Sequence, residues 1–178
     1  MAPDPCFVWL DLEMTGLDVD RCAIVEIGII VTGPALEPRA ELERAIWQPE
    51  EVLARMEPFV REMHEKSGLL DRVRASRTSL VDAERDALGL VSQHCALREG
   101  ILAGNSIHTD RRFLARYMPA FEAWLHYRQL DVSSLKVLAS AWYPGVPRFE
   151  KGEKTHTALD DLRGSLAELE HYRKTIFR

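Results

Sequence analysis

The sequence predicts an α/β protein with a central mixed β-sheet flanked by α-helices. Short runs rich in Ile, Val and aromatic residues open the chain, joined by connections too short for crossover helices. Apolar residues then recur at helical spacing, and the later strand-like runs stand singly between helices. A meander followed by alternating helices and strands combines antiparallel and parallel pairs in one sheet.

The opening runs predict strands over 7–11, 23–32 and 40–47, and Gly33-Pro34 ends the second of them. After Pro49 the pattern becomes helical. Helices are predicted over 50–57, 58–66, 69–75 and 79–94, the last with Ser79 as its N-cap. The later elements are predicted as a strand at 101–105, helices at 109–118 and from Pro119, a strand at 130–132, and helices at 133–142 and 157–175. We expect a single domain over 1–178, with 1–5 as a loose tail.

Acidic residues outnumber basic ones, 28 to 23, for a net charge of −5. Such a chain is unlike proteins that coat long nucleic acid, which need many cations against phosphates. Any nucleic-acid ligand should therefore be short or held through metal ions. The three cysteines form no Cys-x-x-Cys pair, so we expect neither a disulfide framework nor a cysteine zinc site. With no signal-peptide pattern or long apolar run, a cytoplasmic location without a membrane partner is expected.

Acidic side chains at the end of the first strand are candidate metal ligands. Asp11 and Glu13 are two apart, so a strand points both to one side, roughly 6.6 Å apart along the chain. A strand end emerging into solvent would also explain them. Asp110 falls within the apolar stripe of its helix, where a carboxylate is costly unless paired, capped or bound to metal. Capping the helix and binding a ligand both remain open for it.

The last helix separates two neighbouring acids. Asp161 lies at the edge of its apolar stripe, whereas Asp160 projects nearly opposite that stripe into solvent. Asp161 is therefore the candidate site residue. His156 precedes this helix, and its side chain titrates near working pH, so it is a candidate general base; a structural or merely exposed histidine is the alternative.

Four motifs occur in chain order, at 11–17 (DLEMTGL), 104–114 (GNSI through DRRFL), 127–133 (YRQLDVS) and 156–161 (HTALDD). With them the chain resembles the DEDD exonuclease superfamily, in its histidine-containing subgroup, and is most similar to the oligoribonuclease family over about 7–176. That resemblance implies a ribonuclease H-like exonuclease fold. It also implies 3′-to-5′ hydrolysis of very short RNA, dinucleotides especially, to nucleoside 5′-monophosphates.

The resemblance implies two Mg²⁺ or Mn²⁺ ions in the active site. Asp11, Glu13 and Asp161 would hold the first ion. Asp11 would bridge to the second, on which Asp110 would act directly or through water. His156 would take a proton from the attacking water. Carboxylates suit these hard cations because oxygen is their preferred ligand atom.

Substrate contacts and a homodimer are implied in the same way. Leu17 would wedge against the terminal base, and Phe59 and His64 would stack on or contact the substrate. Tyr127 would reach the site across the dimer interface. The 5′ phosphate would be capped by Ser106, Arg128 and Ser133. From the residues alone, Phe59 and Tyr127 could equally be core, and Arg128 a surface cation. Phe59 stands where the family more usually has Trp, which would weaken stacking.

Two other functions fit parts of the pattern. The chain could be another DEDD-type exonuclease, trimming tRNA 3′ ends or proofreading DNA, but such enzymes act on longer substrates and favour a more basic surface. It could also be a catalytically silent nucleic-acid-binding module. The full set of Asp11, Glu13, Asp110, His156 and Asp161 counts against that, because binding alone does not need it. Short single-stranded RNA is the expected partner, and long duplex nucleic acid is not.

Overall fold

A computed structural model describes residues 5–150 and 157–177 and contains one five-stranded sheet in the order β3-β2-β1-β4-β5. Its strands are β1 Cys6–Met14, β2 Ile24–Thr32, β3 Pro38–Ala45, β4 Gly100–Gly104 and β5 Gln129–Asp131. The β1–β2 and β2–β3 pairs are antiparallel, whereas β1–β4 and β4–β5 are parallel. The predicted mixed sheet is confirmed.

Helices flank the sheet as predicted. Their bounds are α1 Glu50–Leu53, α2 Pro58–Lys66, α3 Leu69–Ala75, α4 Leu80–Ser92, α5 His108–Tyr117, α6 Pro119–Trp124, α7 Val132–Trp142 and α8 Ala158–Thr175. Ser79 caps α4, accepting from the backbone N–H of Asp82 at 3.1 Å. The first strand is longer than predicted, because its pairing with β2 continues through Glu13 opposite Glu26. Both acids of the first motif are therefore held in the sheet.

The two faces of the sheet pack against different helices. Val8, Leu10 and Leu12 lie in one core with residues of α4, α5 and α6. Trp9, between them, packs instead with Ile30 and with apolar residues of α7 and α8. Because side chains alternate along a strand, Asp11 and Glu13 share the Trp9 face. The first strand thus directs both carboxylates toward α8.

A disulfide joins Cys6 to Cys95, which corrects the expectation that the cysteines would stay unpaired. The two residues are 89 positions apart in the chain. Strand pairing brings them together, because Cys6 lies opposite Gly100 in the parallel β1–β4 ladder, just after Cys95. No spacing rule in the sequence carries that information. Cys22 is a free thiol.

Within 5–150 and 157–177, no helix combines the length and apolar character needed to cross a bilayer. The tail predicted for 1–5 falls, apart from Pro5, outside the described residues. The single-domain organisation stays a prediction.

Candidate active site

Three carboxylates converge at one end of the sheet. Asp11 and Glu13 come from β1 and Asp161 from the first turn of α8, and each offers an oxygen within 4.8 Å of the others. Asp11 and Glu13 are thus not a strand end emerging into solvent. A cluster of oxygen ligands at this spacing is compatible with a bound divalent cation.

The structure places the two aspartates of α8 as the helical geometry of the sequence predicted. Asp161 enters the acidic cluster, whereas the carboxylate of Asp160 accepts a hydrogen bond from Arg163 at 3.0 Å. Arg163 also pairs with Glu41 on β3 at 2.9 Å. Asp160 is therefore part of a surface ion-pair network.

Asp110 reaches the same region from α5. The residue is only 7% exposed, and its Oδ1 accepts a hydrogen bond at 3.0 Å from the backbone N–H of Leu12, which lies between Asp11 and Glu13. Ile107 occupies the N-cap position of α5. The carboxylate of Asp110 bonds to the neighbouring strand, which a role confined to the start of its own helix would not require.

The crowding of acids has a clear electrostatic consequence. Burial raises the pKa of Asp11 well above its usual value, and the charges of Asp110, Glu13 and Asp161 raise it further. Burial also raises the pKa of Asp110 to about 7, although the bond from Leu12 acts in the opposite direction. Negative charge at this density favours a bound cation, and carboxylate oxygens are the ligands that Mg²⁺ and Mn²⁺ prefer. The residues present therefore fit a divalent metal site.

A cavity of about 320 Å³ opens at the acidic cluster, and Leu17 and Met63 also line it. Leu17 and Met63 line a second cavity as well, where they are joined by Phe59 of α2. Leu17 is 71% exposed and Phe59 76% exposed, so neither belongs to the core. Their apolar surfaces are available to a ligand beside the carboxylates.

His64, also on α2, is placed differently from these two residues. It is 1% exposed, and its Nε2 lies 2.9 Å from the carbonyl oxygen of Met14, to which it donates. Its Nδ1 lies 3.8 Å from Oε2 of Glu13. His64 thus supports the end of β1 behind the acidic cluster, and its contact with substrate stays a prediction.

Ser106 and Ser133 meet at the carboxyl ends of β4 and β5. Their hydroxyl oxygens are 3.3 Å apart, and the backbone N–H of Ser106 donates to Ser133 Oγ at 3.1 Å. Asp131 organises the pair, because its Oδ1 accepts from the backbone N–H of both serines at 2.9 Å. The sequence motifs included Asp131 without giving it this role; its position just before α7, as an N-cap, was the available signal.

Tyr127 and Arg128 form an exposed pair before β5. Tyr127 is 74% exposed, which rules out a core position, and the guanidinium carbon of Arg128 lies 5.3 Å from its ring centroid. Arg111 holds the backbone here by donating to the carbonyl of Tyr127 at 3.1 Å. The pair is accessible to a ligand or a second chain.

Two polar residues near the site had no assigned role. Asn105 lines the cavity of the acidic cluster and donates from Nδ2 to Glu168 at 2.9 Å. Glu168 is fully buried on α8 and accepts from the hydroxyl of Tyr172 at 3.0 Å. Asn105 lies inside the second motif, which was its only sequence signal. His156 lies outside the described residues, and its role as a base stays a prediction.

Known proteins are similar to this chain over nearly its whole length. The family model described as Exonuclease matches residues 8–169. An oligoribonuclease of Azoarcus sp. is 49% identical over 180 residues, covering 100% of this chain and 99% of the relative. An oligoribonuclease of Pseudomonas aeruginosa is 50% identical over 167 residues, covering 93% of each chain.

Solved structures of exonuclease I share the fold. A product-bound exonuclease I superposes with a TM-score of 0.74 at 13% identity, covering 97% of this chain and 44% of that one. The Escherichia coli enzyme in complex with a dT13 oligonucleotide gives a TM-score of 0.74 at 14% identity, covering 96% and 41%. This chain therefore spans about two fifths of the length of those nucleases.

Proposed function

This chain belongs to the exonuclease family, and within it to the oligoribonucleases, and on that premise we propose that it degrades very short RNA from the 3′ end. The products are nucleoside 5′-monophosphates, and dinucleotides are the preferred substrates. The convergence of Asp11, Glu13 and Asp161 within 4.8 Å, in a chain about 50% identical to oligoribonucleases, is the observation that carries the proposal.

Two divalent ions, Mg²⁺ or Mn²⁺, are the proposed cofactors. Asp11, Glu13 and Asp161 hold one ion, and Asp11 and Asp110 serve the other. Bound dications supply positive charge that stabilises the attacking and leaving oxygens of a phosphodiester. The acids contribute by offering oxygen ligands from three secondary-structure elements, β1, α5 and α8, which pack against one another in the fold.

His156 is the proposed general base, which accepts the proton of the attacking water. A histidine suits this task because its ordinary pKa lies near neutral pH. The residue precedes α8 by two positions, so it adjoins the helix that carries Asp161.

The substrate is held by contacts that ignore base identity. Leu17 wedges against the terminal base and Phe59 stacks on it. Aromatic stacking tolerates any base, because every base has a π-face. The adjacent hydroxyls of Ser106 and Ser133, together with Arg128, bind the 5′ phosphate. A site that binds both ends of the substrate selects short RNA. Short RNA has few phosphates, so its binding does not require a strongly basic surface, in agreement with the net charge of −5.

A homodimer completes the site in this proposal, with Tyr127 contributed to the partner's substrate. The support is an exposed aromatic residue with no core role, together with the exposed apolar residues Val137 and Trp142 on α7. Burying such side chains is the main favourable term in association. The proposed location is the cytoplasm.

Labelled RNA of two to twenty nucleotides, incubated with Mg²⁺, Mn²⁺ or EDTA, tests the function. We expect dinucleotides to be cleaved fastest with either metal, 5′-monophosphates to be the product, and EDTA to stop the reaction. Absence of dinucleotide cleavage with both metals would refute the proposal. Faster turnover of the twenty-nucleotide RNA would favour a tRNA-trimming or proofreading type of exonuclease.

A further inference from the structure

Glu26 is a fully buried carboxylate on β2 that the acidic cluster does not include. It lies directly opposite Glu13 in the antiparallel β1–β2 pair. Opposite residues of such a pair place their side chains on the same face of the sheet. Glu26 therefore lies on the face that carries the metal ligands of β1 and that α8 covers.

Two carboxylates of the sheet contact the backbone at the start of α8. The N–H of Ala158, the first helical residue, donates to Glu26 Oε2 at 3.2 Å. The N–H of Leu159 donates to Glu43 Oε1 at 3.4 Å. The first N–H groups of a helix have no partner inside it, and negative charge is favourable there. The sheet therefore satisfies the donors that open this helix.

Arg72, on α3, completes the arrangement. Its Nη1 contacts Glu26 Oε1 and lies 3.9 Å from Glu43 Oε2. A carboxylate buried as deeply as Glu26 is costly without a cation beside it. Arg72 thus supplies a cation at the start of α8, where it opposes the rise that burial causes in the pKa of Glu26.

The contact between sheet and helix at this point is very close. A Cβ added to Gly28 would lie 2.7 Å from the Cβ of Ala158 and 3.0 Å from its carbonyl carbon. Asp161 follows one turn later, and its N–H is bonded to the carbonyl of Thr157 at 3.0 Å. A shift of the first turn of α8 against β2 therefore moves Asp161 relative to Asp11 and Glu13.

We propose that Glu26 and Arg72 are positioning residues for Asp161, holding the first turn of α8 so that this carboxylate can share a metal ion with those of β1. The inference rests on the metal-dependent function proposed above. It gives a buried ion pair with no substrate contact a defined part in the activity. A merely structural pair would contribute stability without affecting the metal affinity of the folded protein.

A direct measurement of metal binding distinguishes a positioning role from a merely structural one. Mn²⁺ affinity is determined by electron paramagnetic resonance, and steady-state kinetics on a dinucleotide RNA give kcat and KM. In Glu26→Gln and Arg72→Met, we expect the Mn²⁺ dissociation constant to rise by about 10- to 100-fold, the range for partners of metal ligands. The value of kcat falls with it, whereas KM stays within about threefold because neither residue contacts substrate.

A conservative variant and a matched control complete the design. Arg72→Lys keeps a cation beside Glu26 and should recover most of the affinity that Arg72→Met loses. Arg74→Met removes an ion pair from the same helix, α3, where Nη2 of Arg74 lies 2.9 Å from Oε1 of Glu50 on α1. This control should leave Mn²⁺ affinity and kcat unchanged. Circular dichroism confirms that each variant is folded at the assay temperature.

The positioning role is overturned if folded Glu26→Gln and Arg72→Met bind Mn²⁺ as tightly as the wild type. If both variants fail to fold, Arg72→Lys is compared with Glu26→Asp, which keeps the charge but has a shorter side chain. The role is supported if Arg72→Lys keeps wild-type Mn²⁺ affinity and kcat while Glu26→Asp binds Mn²⁺ more weakly. Any other result rejects the role. A wild type that binds Mn²⁺ without cutting RNA refutes the proposed function alone, since the affinity comparison still stands. A wild type that binds no Mn²⁺ overturns the positioning role.

Discussion

The carboxylate of Asp110 accepts a hydrogen bond from the backbone N–H of Leu12, 98 positions earlier in the chain, at 3.0 Å. The bond fastens the start of α5 to the strand that carries Asp11 and Glu13. It also fixes Asp110 in a buried setting, where its pKa is raised to about 7. This raised pKa has a consequence for stability that can be measured.

The metal-free protein is expected to lose stability as pH rises from about 4 to about 7. In this window the folded state holds a proton on Asp110 that the unfolded state, with an ordinary pKa of 3.8, has released. Stability falls with rising pH wherever the folded state binds more protons. Asp110→Asn removes this contribution. Thermal unfolding in EDTA should therefore show the variant melting several degrees above the wild type at pH 8, with the difference vanishing near pH 4.

Equal melting temperatures of wild type and Asp110→Asn at pH 8 would contradict that expectation. Added Mn²⁺ should reverse the order at pH 8, because the variant keeps the ligands of the first ion but lacks one for the second and therefore gains less stability.

Asp161→Asn and Asp160→Asn form a matched pair on adjacent residues. We expect the first to lower kcat on dinucleotide RNA by more than about 100-fold, since even indirect partners of metal ligands cost 10- to 100-fold. The second weakens a surface contact with Arg163 and should stay within about threefold of wild type. A large loss in folded Asp160→Asn would overturn the assignment.

Phe59 is expected to act through stacking alone. Base–aromatic stacking contributes roughly 1–3 kcal/mol per base, so Phe59→Ala should raise KM about five- to 100-fold. Phe59→Trp, with its larger ring, should lower KM. Val81 is another exposed apolar residue, and the control variant Val81→Ala should change neither kcat nor KM. A KM for Phe59→Ala equal to that of the wild type would remove Phe59 from the substrate site.

The Ser106–Ser133 pair should recognise a 5′ phosphate together with Arg128. Dinucleotides with and without that phosphate are compared by kcat/KM. Arg128→Ala and Ser133→Ala should each lower the preference for the phosphorylated substrate, by about tenfold for the charged residue. Arg85 is an exposed arginine on α4, and Arg85→Ala should leave this preference unchanged. A preference retained in both variants would show that the phosphate binds elsewhere.

Trp142, exposed on α7, provides a test of the homodimer. Trp142→Glu introduces charge on an apolar surface and should convert the dimer to monomer in analytical ultracentrifugation, because burying an unpaired charge is costly. Val81→Glu on α4 should leave the mass unchanged. A wild type that sediments as a monomer at micromolar concentration would refute the dimer itself.

Periodicity within single elements predicted much of this protein. The stripe of α8 was enough to select Asp161 and to set Asp160 aside. The alternation of β1 predicted that Asp11 and Glu13 share one side of the strand, but left open whether they bind a metal or meet solvent.

Most strand and helix bounds agree for the same reason: hydrophobic spacing and caps such as Ser79 are local properties. The helix predicted over 50–57 is an exception, because α1 ends at Leu53. The end of β1 was placed too early because Glu13 is polar, and only pairing with β2 keeps it in the strand.

Such local patterns could not predict contacts between distant segments of the chain. The sequence left Asp110 divided between cap and ligand, and Phe59 between core and surface. Packing placed Phe59 on the surface and bonded Asp110 to the backbone of β1. It gave no sign of the disulfide between Cys6 and Cys95.

The sequence by itself determined the candidate site residues and the elements that bear them. Only the tertiary structure decided that Glu26 and Arg72 support the helix of Asp161, and that His64 lies behind the cluster. The physical reason is that side-chain direction along a helix or strand follows from local geometry. Which elements come into contact depends on how the whole set of apolar faces is buried together.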